Sequence, residues 1–173
     1  MSIEYRKYEL ISREENFEIR FYPAALLATT EINSGKYSDA ANTGFRKLAG
    51  YIFGGNKEGK KIAMTSPVEM KMGKEKTEMS FTMPKQYNIT ELPQPNDQNI
   101  FLQKTTEEYT ASVSFGGYAS DKKIARYTEE LKKILASKKI NTIGNFRYLG
   151  YNSPFKIFGR RNEILVAISY IKN

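Results

Sequence analysis

A chain of 173 residues, 40% of them apolar, can build one hydrophobic core without staples and is short for two independent domains. It has no cysteine and no histidine, which excludes disulfides, zinc sites built on thiolate or imidazole, and any catalytic triad that needs either side chain. Lysine and arginine outnumber the acids 27 to 19, a net charge of +8 that favours anionic partners. The basic pairs, among them Lys60-Lys61, Lys132-Lys133 and Arg160-Arg161, are scattered, and no nucleic-acid reader motif accompanies them, so specific nucleic-acid binding is not expected. The charged opening MSIEYRKYELISREENFEIRF has no signal-peptide character and no run reaches the length of a membrane span, which sets the expectation of a cytoplasmic protein.

In chain order, Phe17, Ile19 and Phe21 alternate with polar neighbours until Pro23 interrupts the ladder, and ALLATTEI resumes it, so the segment reads as a strand with a break. From Ser38 the period changes to that of a helix, with Ala41, Phe45, Leu48 and Ile52 on one side, Ser38 as the expected N-cap and Gly54-Gly55 as the stop. Val68, Met70 and Met72, then Met79, Phe81 and Met83, flank a polar GKEK turn and predict a hairpin. The proline-bearing polar stretch 88–99 reads as a joint. Beyond it, Tyr109 to Phe115 alternate as a strand, Ser120-Asp121 open a second helix carrying Ile124, Tyr127, Leu131 and Leu135, and FRYLGYNSPF and EILVAISYI predict two more strands.

Each half thus reads strand, helix, strand, strand. Ser66-Pro67 and Ser153-Pro154 are separated by nearly the same stretch as the helix caps Ser38 and Ser120, which predicts a duplicated βαββ unit. Proline lacks an amide donor, so two equivalent bends would curl the sheet toward a barrel. The expected fold is α+β: a distorted antiparallel β-barrel with two helices packed on it. It forms one domain over residues 1–173, with pseudo-repeats at about 17–87 and 100–171 joined by the 88–99 loop.

The stretches FEIRFYPA, NTGFRKLAGYI, KIAMTSPV, FGGYAS and LGYNSPF followed by RRNEI resemble the SOUL haem-binding protein family in order and spacing, from about Tyr8 to Ile168. The resemblance implies two βαββ repeats flanked by two long helices, akin to the effector-binding domains of some bacterial regulators. One branch of that family carries a proposed histidine iron ligand within E-I-R-x-Y, where this chain has Phe21. Another branch holds porphyrin without histidine in an apolar cleft beside the first helix, with basic side chains on the propionates. Two of those basic positions fall on the neutral Asn42 and Gly50, and a later lysine is retained as Lys156.

The expected function is therefore a binding module for a small apolar anion, haem or another tetrapyrrole, held without histidine. The candidate site comprises Phe45, Leu48, Ala49, Ile52 and Met64 as apolar wall and Lys156, Arg160 and Arg161 as carboxylate partners. The same helix residues also read as ordinary core, and the same basic residues as a solvated loop. Were iron coordinated, tyrosine, methionine or lysine would have to serve, with Tyr22 and Tyr51 as candidates. The alternatives are an effector-binding domain for hydrophobic cations through Glu69 or Glu163, and a partner-binding protein with no small ligand. Glu163 has a further reading as the structural partner of an arginine. No phosphate-cradling glycine loop is present, so the reading leans away from an enzyme.

Overall fold

The computed structural model of the chain describes residues 3–153 and 156–171. The first half contributes β1 (Glu4–Tyr5), β2 (Glu9–Arg13), β3 (Glu18–Tyr22), β4 (Leu26–Ile32), α1 (Tyr37–Ile52), β5 (Thr65–Ser66), β6 (Val68–Met72) and β7 (Thr77–Thr82). The second half contributes β8 (Ile100–Lys104), β9 (Glu108–Phe115), α2 (Asp121–Ser137), β10 (Thr142–Gly150) and β11 (Asn162–Ile168).

Among the described residues, nine strands form one antiparallel sheet in the order β2-β3-β9-β11-β10-β6-β7-β4-β8, and β1 and β5 form a small parallel pair beside it. The α+β class is as expected, and the sheet is a distorted barrel left unclosed, with β2 and β8 as its two edges. The order is nearly symmetric about the β10-β6 contact, where Tyr148 faces Met70 and Leu149 faces Glu69. Within each half the strand after the helix pairs with the next one, as β6 does with β7 and β10 with β11. The leading strands are exchanged: β3 pairs with β9 of the second half, and β8 pairs with β4 of the first.

Both helices cover one face of this sheet. In α1, Ala40, Gly44, Leu48 and Ile52 recur every fourth residue and are buried against β4 and β7. Gly44 permits the approach, since a Cβ there would lie 2.8 Å from the Ile32 Cδ1 and 3.0 Å from the Met79 Sδ. In α2, Ile124, Leu131 and Leu135 do the same over β9 and β11, each buried side chain contributing about 2 kcal/mol. Phe115 stacks on Tyr127 with centroids 4.4 Å apart.

Two sequence expectations are corrected. Helix α1 begins at Tyr37 with Lys36 as its cap residue, not at Ser38, because the Tyr37 amide donates to the Asp121 Oδ1 of α2 at 2.7 Å and needs no local side chain. The caps are otherwise as read: Ser120 accepts from the Lys123 amide. The Ser-Pro pairs are not equivalent, since Ser66-Pro67 precedes β6 whereas Ser153 follows the end of β10, and Pro154 lies outside the described residues. The similarity of the halves rests on element order and on the matched strand pairings.

Candidate functional site: a basic-rimmed cleft between the amino-terminal strap and two proline bends

Pro23 ends β3 because it has no amide to continue the ladder, and Pro84 does the same just beyond β7. The backbone diverges at both places. The Met83 amide donates to the Leu26 carbonyl at 2.8 Å and the Thr105 amide to the Ala25 carbonyl at 2.8 Å, so β4, β7 and β8 hold the two bends side by side. Across the opening runs the amino-terminal strap, fixed by β1 on β5, by the Arg6 amide donating to the Ser66 carbonyl at 2.8 Å, and by the Glu4 carboxylate accepting from the Lys85 amide at 2.9 Å.

These segments enclose a cleft of about 640 Å³, within the range of small-molecule and cofactor sites. Its walls are apolar, from Tyr5, Pro23, Ala24, Leu26, Met83, Tyr87 and Ile89, while Lys7, Lys85 and Lys104 set three cations against the single carboxylate of Glu4; the Arg6 guanidinium is turned inward to Tyr22 and Glu69. Lys60 Nζ lies 4.9 Å from the centroid of the Tyr87 ring. The arrangement can take a flat apolar body between the proline bends and meet its carboxylates with lysines at the mouth.

The sequence-selected residues lie elsewhere. Leu48 is 0% exposed and Ile52 1%, so both belong to the core, with Ala49 also buried. Phe45, 40% exposed, packs on Phe81, and Met64 is half-buried against the same core. Arg160 is engaged within its own loop, donating to the Ser153 and Lys156 carbonyls at 2.7 Å each and lying over the Tyr118 ring; Lys156 is exposed. None of these residues borders the cleft.

Arg161 belongs instead to a buried network on the face of the sheet away from the helices. There Arg20 donates twice to Glu163, at 2.8 and 2.5 Å, and Glu163 also accepts from Tyr151 at 2.6 Å, Arg161 at 3.0 Å and Ser114 at 3.1 Å. Burial alone would push the Glu163 carboxyl up; the hydrogen bonds and charge of Arg20 outweigh it and hold the group down at about 2. Burial also opposes the charged form of Arg20, yet its bonds and attraction to Glu163 raise it above the ordinary arginine value. Burial raises Tyr151, Tyr148 and Tyr22, and raises Tyr51 to about 12, so none of these four is predisposed to act as a phenolate. Glu69 is likewise paired, with Arg147 at 2.8 Å and Arg6 at 3.8 Å, and Arg147 also binds Glu108 at 2.8 Å. Only about 10 Å³ of space remains beside Glu69, so each candidate effector carboxylate faces an arginine of the chain itself.

Among the described residues, no group of three acids is placed to hold a metal ion, and no helix is long and apolar enough to cross a membrane. Sequence reasoning missed the cleft because its walls come from segments remote in sequence. The signals it could have used were the two prolines that flank β4 and β7, which pair in the sheet, and the lysines at 7, 85 and 104.

The fold and cleft together define an α+β module with two strand-exchanged βαββ halves and a basic-rimmed apolar site. The chain belongs to the SOUL heme-binding protein family, whose model matches residues 3–167. Heme-binding protein 2 of Mus musculus is 30% identical over 157 residues, covering 86% of this chain and 76% of that protein. Among solved structures, the EcmrR C-terminal domain shares the fold with a TM-score of 0.70 at 9% identity, covering 90% of this chain and 98% of that one. SAV2435 bound to tetraphenylphosphonium has a TM-score of 0.55 at 12% identity, covering 88% and 93% respectively.

Proposed function

We propose that this protein is a small-molecule binding module that takes a flat apolar anion, haem or another tetrapyrrole, in the cleft between the amino-terminal strap and the Pro23 and Pro84 bends. The observation that carries this reading is the cleft itself, apolar walls under a rim of Lys7, Lys85 and Lys104. Membership of a haem-binding family supports the ligand class. The residues present fit the ring and its carboxylates: proline, alanine and aromatic walls exclude water from the flat body, and the lysines orient the acid groups. With no histidine in the chain, apolar contact supplies the affinity and imidazole ligation plays no part. Bound haem would bring its iron chemistry with it; what this chain does is bind and orient.

The proposal moves the site away from α1, and the test separates the two places. Tag-free protein is titrated with haemin and with metal-free protoporphyrin. Ala24→Trp, which fills the cleft, should reduce binding of both at least tenfold, and Lys85→Glu with Lys104→Glu should reduce it severalfold, more at low salt. Phe45→Lys on the exposed side of α1 should leave binding unchanged. If Phe45→Lys abolishes binding and Ala24→Trp does not, the site lies on α1; if the parent binds neither ring, the tetrapyrrole reading fails.

A second reading, a hydrophobic cation as ligand, draws on the fold neighbour bound to tetraphenylphosphonium. It would require Glu69 or Glu163 to exchange an arginine partner for the ligand. Binding of tetraphenylphosphonium that is lost in Glu69→Gln or Glu163→Gln would favour it.

A further inference from the structure

The connection between β10 and β11 carries the largest exposed side chain of the protein's described apolar residues. Phe158 is 85% exposed and its neighbour Ile157 66%, at a place where neither packs on the core. Hydrogen bonds shape the described part of this tip. Arg160 Nη1 binds the Ser153 and Lys156 carbonyls at 2.7 Å, the Lys156 amide donates to the Ser153 carbonyl at 3.1 Å, and the Arg161 amide donates to the Asn152 Oδ1. Gly159 turns the chain at φ +64°, a conformation that suits glycine.

The surroundings are positive and partly aromatic. Arg160 lies 4.2 Å from the centroid of Tyr118, itself 51% exposed, which brings the loop before α2 alongside the tip. Lys123 Nζ bonds to the Gly116 carbonyl of that loop, and Lys122 stands exposed in the first turn of α2. The nearby acid, Asp121, is occupied in capping α1. Lys156 precedes the apolar pair and is exposed.

We propose that residues 156–160 dock the protein on anionic lipid bilayers, with Ile157 and Phe158 entering the interface and Lys156, Lys122 and the neighbouring cations meeting lipid headgroups. Two side chains at a loop tip offer far too little area for a stable protein interface, which takes about 800 Å² from each partner. A bilayer accepts single apolar side chains, and the exposed Lys122 and Lys156 select its acidic lipids. The aromatic Tyr118 beside the pair suits the boundary between headgroup and acyl region. This inference is independent of the ligand cleft, which is built from other segments.

The test is flotation of the full, tag-free chain with vesicles of phosphatidylcholine alone and of phosphatidylcholine with about one-third phosphatidylglycerol. Partition onto the anionic vesicles should be about tenfold stronger and should fall as salt is raised from about 0.1 to about 0.5 M. Ile157→Ser together with Phe158→Ser should cut it about tenfold while leaving thermal unfolding and haemin titration as in the parent, because both side chains are exposed. Lys122→Glu with Lys156→Glu should remove the preference for the anionic lipid. Absence of binding to anionic vesicles overturns the proposal. So does equal flotation of the Ile157→Ser, Phe158→Ser variant, which would leave only nonspecific attraction to a basic protein. Self-association of the parent that this variant abolishes, without vesicle binding, would assign the tip to a protein partner and overturn it as well.

Discussion

Replacing Arg20 by methionine keeps much of its volume and removes the guanidinium that makes two hydrogen bonds to Glu163, a side chain with 0% exposure. Breaking a buried pair in this way costs about 3 kcal/mol or more, because an uncompensated charge is left behind, and the remaining contacts to Tyr151 and Arg161 place the expectation at that lower figure. The direction agrees with the titration of the carboxyl, which Arg20, with Tyr151 and Arg161, holds at about 2 against the upward push of burial. For a domain of this length the loss lowers Tm by roughly 9 °C. The pH dependence carries the sign. A depressed carboxyl contributes fully above its unfolded value of 4.5, and the contribution is lost as pH falls toward about 2. In Arg20→Met burial dominates and the Glu163 carboxyl rises, so the variant's deficit should be largest at pH 7 and shrink on acidification. Urea unfolding of both proteins between pH 7 and pH 3 measures it, with Arg20→Met/Glu163→Gln recovering part of the loss. A deficit below about 1 kcal/mol, or one independent of pH, would refute the reasoning that Arg20 is what makes a charged Glu163 tolerable.

Ile52→Lys should fail to give a cooperative transition by circular dichroism, since an ammonium would replace a side chain that is 1% exposed in the core. Gly50→Ala, at a helical position with nothing within 4 Å of a new Cβ, should raise stability by about 1 kcal/mol in urea unfolding. Gly55→Ala should instead lower it, because the Cβ would lie 2.6 Å from the Gly50 carbonyl oxygen, a backbone atom that cannot step aside. Asp121→Ala should cost about 1 kcal/mol and loosen the first turn of α1, seen as faster amide exchange at Tyr37, which donates to Asp121.

The fold was legible where local pattern decides it. Leu48 and Ile52 in α1 and the facing pair Met70 and Met79 are consequences of periods that the sequence carries openly, whereas the first turns of the helix bury Ala40 and Gly44 rather than the expected Ala41 and Phe45, because small residues there let the helix approach the sheet. The short strands β1, β2 and β5 were not, since β1 and β2 are exposed or half-buried throughout and β5 is only two residues long, which leaves no alternation to read. The start of α1 escaped for a different reason: its capping acid sits 84 positions away, on the other helix. Glu163 illustrates a limit of composition. A carboxylate beside Arg161 could be read as an arginine partner, yet its principal partner is Arg20, brought to it across the sheet from a separate strand. The cleft was hidden in the same way, because Tyr5, Ala24, Pro84 and Lys104 meet only after four segments have been placed by the sheet.

The exchange of leading strands makes the two halves mutually obligatory. If β3 completed its own half, a break anywhere in the 88–99 joint would release two self-sufficient pieces; as it is, each piece would lack the strand that lies at its flank and would expose the unpaired backbone of β4 or β9. Fragments cut at that joint should therefore be insoluble or unstructured apart and regain the native sheet only when mixed. During synthesis the first half must wait for residues 100–104 before its edge is covered, so the emerging chain holds an open strand edge for longest just when a chaperone or a second copy could claim it.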